Sequence, residues 1–179
     1  MIKFGKIILV PLEETNLELI WKWRNDPEVA ATLVNVHESR EIIKKWYETV
    51  KFNQSERNFL IIDSASGKSI GHTGLAKIDF VNRNAELFVI IGEKNYWNQA
   101  FGRDTVNALL RYGFHELNLQ RIYLDTVQYN EKAIKCYQAC GFVEEGLLRK
   151  ARYKNGAYHD VIIMGILRDE WENKFKTRV

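Results

Sequence analysis

The sequence predicts an α/β fold in which one mixed sheet carries helices on both faces. Three observations predict it. Apolar runs of strand length outnumber segments with helical period, so the sheet is the larger element. Hairpin signals alternate with crossover helices, which requires both antiparallel and parallel neighbours. No repeat or Pro/Gly-rich linker divides the 179 residues, and the only prolines are Pro11 and Pro27, so residues 1–179 read as one domain. With 46% hydrophobic and 27% charged residues the chain can fill a core, and disorder is excluded.

Ile7–Leu12 is apolar and reads as the first strand. Leu17, Ile20, Trp21 and Arg24 follow at helical spacing, and Asn25-Asp26-Pro27 ends that helix. Ile42, Ile43, Trp46, Tyr47 and Val50 mark a second helix beginning after Ser39. Phe59–Asp63 and Ser69–Asp79 are strands joined across Ala65-Ser66-Gly67, and a third runs from Ala85 to Ile91. A polar and aromatic loop, Asn95–Arg103, leads into a helix whose apolar stripe is Val106, Leu109, Leu110, Gly113, Phe114 and Leu117. Ile122–Val127 is a strand. Asn130 is a good N-cap for the next helix, with Gly141 at its end. Glu144–Tyr153 and Ala157–Leu167 then flank Asn155-Gly156, a hairpin turn. The order is β-α-α-β-β-β-α-β-α-β-β.

Composition narrows the function. A net charge of +3 is too dilute for a nucleic-acid surface. The start has no apolar h-region, and Ile7–Leu12 is too short to span a bilayer, so no membrane is expected. Cys136 and Cys140 lie one helical turn apart, where a disulfide between them is geometrically disfavoured; they read as reduced thiols of a cytoplasmic protein. His37, His72, His115 and His159 show no metal-ligand spacing, so no metal is expected. Trp21, Trp23 and Trp46 fall at core spacing.

Two segments carry chemistry. Trp97-Asn98-Gln99-Ala100-Phe101-Gly102-Arg103 joins a strand to a helix start, whose unpaired N–H groups and dipole favour anions. Ala100 and Gly102 keep the backbone approachable and Arg103 adds charge; the same residues also make an ordinary packing turn. In Asn130-x-x-Ala133-x-x-x-Tyr137-x-x-x-Gly141-Phe142, Asn130 and Tyr137 are two turns apart on one helix face, about 10 Å by rise. Ala133 keeps the face between them low enough for a slender ligand. A capping asparagine and a core tyrosine would look the same.

Together these segments resemble the GNAT superfamily of acetyltransferases, in particular its Rim-type and spermidine-acetyltransferase branch. Trp97, Ala100 and Gly102 stand in the slots of the acyl-CoA pyrophosphate loop, Gln/Arg-x-x-Gly-x-Gly/Ala. The spacing of Asn130, Ala133, Tyr137 and Gly141-Phe142 matches the family signature. Trp23-Arg24-Asn25-Asp26-Pro27, Arg83-Asn84-Ala85-Glu86-Leu87 and Asn155-Gly156-x-Tyr158-x-Asp160 extend the likeness over nearly the whole chain. The resemblance implies a mostly antiparallel central sheet with a splayed central strand pair, and acetyl-CoA as cosubstrate. It implies that the backbone of Val89, Ile90 and Ile91 holds pantetheine, Asn130 contacts it, and Tyr137 protonates the leaving thiolate.

Glu86, a lone carboxylate in that strand, is the candidate general base, with a salt bridge to Arg83 or Lys77 as the equal alternative. The expected reaction is direct attack of a primary amine on the acetyl thioester in a ternary complex. The acceptor stays open between a ribosomal or other protein N-terminus and a small amine such as a polyamine, an aminoglycoside or an amino sugar. An inactive CoA-binding regulatory module is the reading from another class. The branch also implies a possible homodimer.

Overall fold

The computed structural model describes residues 1–33 and 37–176. The elements are β1 (Ile2–Phe4), β2 (Ile7–Pro11), α1 (Leu17–Asn25), α2 (Pro27–Ala30), α3 (Arg40–Val50), β3 (Arg57–Asp63), β4 (Ser69–Asp79) and β5 (Asn84–Ile91). They continue with α4 (Phe101–Arg111), β6 (Arg121–Val127), α5 (Glu131–Cys140), β7 (Val143–Lys154), β8 (Ala157–Leu167) and α6 (Arg168–Lys176). The strands form one eight-stranded sheet in the order β1-β2-β3-β4-β5-β6-β8-β7. Only β5 and β6 are parallel.

The predicted order holds, with three additions. β1 is three residues long, too short for a periodic signal, and folds back through Gly5 at φ +51°. Asp26 ends α1 and also starts α2, its Oδ1 accepting from the amides of Glu28 and Val29 with Pro27 in the first turn. α6 has only two apolar residues, Trp171, which is buried, and Phe175, too few to establish a helical period. At the predicted hairpin, Asn155 and Gly156 both have positive φ, as a two-residue type I′ turn requires.

The sheet separates two cores. On β3, Phe59 and Ile61 pack with α4, while Leu60 faces Ile20, Trp23 and Ile43 of α1 and α3. On β5 the same alternation sends Leu87 into the first core and Ile90 towards the second. Gly92 is dictated by packing, since a Cβ there would lie 2.1 Å from the Trp23 ring.

β5 and β6 pair only from Asn84 to Glu86, opposite Arg121 to Tyr123. Beyond that rung β5 stays with β4 as far as Ile91, and β6 stays with β8 as far as Val127. The two strands therefore part in the middle of the sheet. Leu87 to Ile91 are left without a strand partner on the β6 side, which creates a slot where backbone groups need another partner.

Candidate active site

A cavity of about 560 Å³ occupies this slot. One wall is Val89, Ile90 and Ile91; the opposite wall is the face of α5 with Asn130, Ala133 and Tyr137. Trp97, Asn98, Ala100, Phe101, Gly102 and Arg103 close one side. Two predicted residues lie outside its lining. Gln99 turns its amide to the carbonyl of Asn95 and its own carbonyl to Lys6. Glu86 sits at the last paired rung between β5 and β6.

The loop between β5 and α4 is shaped by its own residues. The Trp97 indole donates to the Ile91 carbonyl at 2.8 Å, tying the loop to the unpaired end of β5. Asn98 at φ +61° and Ala100 at φ +68° take the left-handed conformation. Left-handed residues in succession with other conformers form the backbone concavities that cradle anions. At Gly102, in the first turn of α4, an added Cβ would meet only Cys136 Sγ, at 3.9 Å. The fold therefore leaves open space beside this backbone, as close approach by a phosphate requires.

α5 begins as its sequence suggests. Asn130 Oδ1 accepts from the Ala133 amide at 3.4 Å, so the asparagine caps the helix and lines the cavity at once. Gly141 ends it at φ +109°. Tyr137 packs against Phe142, ring centroids 5.8 Å apart. Burial pushes its phenol pKa well up, so the hydroxyl keeps its proton and acts as a donor.

Several lining residues escaped sequence reasoning. Lys132 and Lys135 add positive charge beside Arg103; one and two residues from Ala133, they lie off its helix face, so spacing did not mark them. Cys136 also lines the cavity; a hydrogen bond from Cys140 and the charge of Arg103 hold its thiol below the usual range, while Cys140 is pushed up by the same bond and by burial. Glu28 and Val29 of α2 and Thr32 and Leu33 just after it reach the cavity, and no sequence signal marks such a tertiary approach.

The face of the sheet opposite α4 carries charge at the fork. Glu86 Oε2 lies 2.6 Å from Lys77 Nζ, whereas Arg83 turns away to Asn118. Of the two predicted salt-bridge partners, Lys77 is the one present. The Lys77 ammonium is the partner of this otherwise unpaired, buried carboxylate oxygen, and the contact raises the lysine's own pKa. Asp125, further along β6, pairs with Arg152 at 3.1 Å. Glu56 is drawn into the same group: burial raises its pKa, and Glu86 raises it further. His72 is buried and pushed down to about 3 by burial, then by the Arg24 charge; it contacts Asn58 through Nε2 and is a packing residue. Among the described residues no cluster could hold a metal, and no helix is long and apolar enough to cross a membrane.

A sheet forked in its centre, with an anion-suited helix start and a tyrosine in the fork, defines an acyl-CoA-dependent transferase. Residues 6–143 match the family model described as an acetyltransferase (GNAT) domain, and the chain belongs to that family. It is 32% identical over 171 residues to spermidine N(1)-acetyltransferase of Vibrio cholerae, covering 95% of this chain and 98% of that protein. Against the enzyme of the same name from Escherichia coli K12 it is 31% identical over 170 residues, covering 94% and 90%. The crystal structure of the Vibrio cholerae enzyme with CoA and spermine superimposes with a TM-score of 0.88 at 32% identity, covering 94% of this chain and 99% of that one. The protein is an acetyl-CoA-dependent N-acetyltransferase that acetylates a primary amine.

Proposed function

We propose that acetyl-CoA lies in the cavity of the fork and that a small primary amine approaches from the face bearing Glu56, Glu86 and Asp125. The observation that carries this reading is the continuous wall from the α4 start to Tyr137, slender along α5 and positively charged where Arg103, Lys132 and Lys135 stand. Relatives named for acetylating spermidine support a small amine over a protein N-terminus. The bound cosubstrate supplies the acetyl thioester.

The residue roles follow from position. Loop residues 97–103 and the first turn of α4 hold the pyrophosphate, with Gly102 the point of closest approach. The free backbone groups of Val89, Ile90 and Ile91 orient the pantetheine amides and the thioester carbonyl; Ala133 leaves them room, and Asn130 borders the same channel. Tyr137 donates a hydrogen bond to sulfur as the C–S bond breaks. Its pKa lies above the ordinary phenol value of about 10, and thiols ionise near 8.5, so full proton transfer to the thiolate is uphill. Stabilisation by the donated hydrogen bond is the effective contribution. Glu86 attracts the incoming ammonium; the free-amine form attacks the thioester carbonyl, and Glu86 accepts, directly or through water, the proton the nitrogen sheds as the C–N bond forms and thiolate departs.

The described fold reads as one domain, and the two free thiols fit a reducing cytoplasm. A homodimer would cover the exposed Val143, Leu147 and Leu148 of the edge strand β7. The test of the function is release of free thiol from acetyl-CoA across a panel of amines, protein N-terminal peptides included. Absence of thiol release with every amine of the panel would refute it.

A further inference from the structure

The ladder between β4 and β5 contains an irregularity that the reaction as described does not use. Ala76 pairs with Glu86 and Asp79 with Asn84, so the register shifts between them. Leu75 and Ile78, three residues apart, both point into the core beneath α4. Regular alternation would send them to opposite faces. The extra residue is absorbed at Lys77, whose φ of +51° is left-handed. A bulge of this kind re-aims a side chain. Here it puts Lys77 on the same face as Ala76 and Glu86, and its ammonium lies on the Glu86 carboxylate. Ile78 N donates to the Ser55 carbonyl at 3.0 Å, which fixes the bulge against the turn leading to Glu56. In a regular strand Lys77 would share the core face of Leu75; the bulge keeps Ile78 in the core and brings the lysine out on the Glu86 side.

The electrostatic result is specific. Glu56, Glu86 and Asp125 are the carboxylates around the fork on this face, and Lys77 and Arg152 are paired with two of them. The site is left with about one formal negative charge. Lys77 is nevertheless 71% exposed, against 21% for Glu86, so its ammonium is held by charge and not enclosed. An incoming amine can displace it.

We infer that Lys77 is a specificity-determining residue, a tethered ammonium that occupies the acceptor carboxylate of Glu86 and selects amines carrying one positive charge over polyamines. This rests on the proposed approach of the acceptor to the Glu86 face. A monocation exchanges with Lys77 at no net change in local charge and takes over the contact of its ammonium with Glu86 Oε2. A trication such as spermidine brings two further charges into a site with one to neutralise, and leaves the displaced lysine beside them.

The test is equilibrium binding to the CoA-loaded protein, by calorimetry at low salt, of spermidine and of butylamine as the monocationic probe. In wild type, spermidine is expected to bind no more than threefold tighter than butylamine. Lys77→Met keeps the Cβ, and hence the backbone conformation, while removing the charge. It should tighten spermidine at least tenfold and butylamine less than threefold, and the gain should shrink in 0.5 M salt. Lys77→Arg should behave as wild type. A wild-type preference for spermidine of tenfold or more, or a spermidine-to-butylamine ratio unchanged in Lys77→Met, overturns the inference. So does failure of both amines to bind every variant. Because the readout is binding, thiol release across the amine panel still judges the proposed function separately.

Discussion

Ala100 and Gly102 are two residues apart in the same loop, yet the structure predicts opposite consequences for exchanging their side chains. Ala100 is held at φ +68°, and a left-handed conformation costs a residue with a Cβ about 1–2 kcal/mol. Glycine there relieves that strain but adds about 0.4–1 kcal/mol of unfolded-chain entropy. Ala100→Gly should therefore stabilise by roughly 0.5–1 kcal/mol. For a chain of this size that is a rise in melting temperature of about 1–4 °C, with CoA affinity unchanged or improved.

Gly102 lies in the first turn of α4 with no positive φ, and its Cβ would touch only Cys136 Sγ, at 3.9 Å. Gly102→Ala should leave melting unchanged or raise it, since alanine favours the helix by up to about 1 kcal/mol. The same methyl group fills the space where the pyrophosphate is proposed to lie. Crowding of about 1–3 kcal/mol corresponds to a loss of CoA affinity of roughly fivefold to a hundredfold. Calorimetric melting of each variant, paired with CoA titration, separates the two effects. If Ala100→Gly lowers the melting temperature, the strain argument is wrong. If Gly102→Ala folds and binds CoA as wild type does, the phosphate lies elsewhere.

Tyr137→Phe should keep fold and CoA binding while lowering kcat about tenfold to a hundredfold, less than a full general acid because the hydroxyl serves as a hydrogen-bond donor; turnover within twofold of wild type would return Tyr137 to the core. Glu86→Gln should depress the rate most at low pH, and an unchanged pH–rate profile would make the Lys77 pair its only role. N-Ethylmaleimide should label Cys136 before the buried Cys140, and acetyl-CoA should slow the labelling, because Cys136 lines the cavity; labelling indifferent to the cosubstrate would count against its placement there. His72 resists protonation down to about pH 3 in the fold, whereas an unfolded histidine takes up a proton near 6.5. Its contribution to stability is complete above pH 6.5 and lost on acidification, about 2 kcal/mol by pH 5; His72→Gln should flatten that part of a urea-midpoint profile, and a parallel profile would show the histidine charges freely.

The sequence by itself determined the elements whose causes are local. Asn155-Gly156 specifies a turn that needs two positive φ angles, Asn130 and Gly141 bound α5, and the stripe from Val106 to Phe114 commits α4 to the core. The candidate cofactor wall was legible for the same reason, because a helix start and a helix face are written in consecutive residues. Only the tertiary structure decided what depends on distant segments meeting. The parting of β5 from β6 after Glu86 arises because each strand is held by a different outer neighbour, and neither strand's pattern records that. α2 reaches the cavity by packing alone. Between Arg83 and Lys77 as partners for Glu86, sequence spacing was neutral. The choice fell to a one-residue bulge at Lys77, which turns a lysine that regular alternation would point into the core onto the face of Glu86.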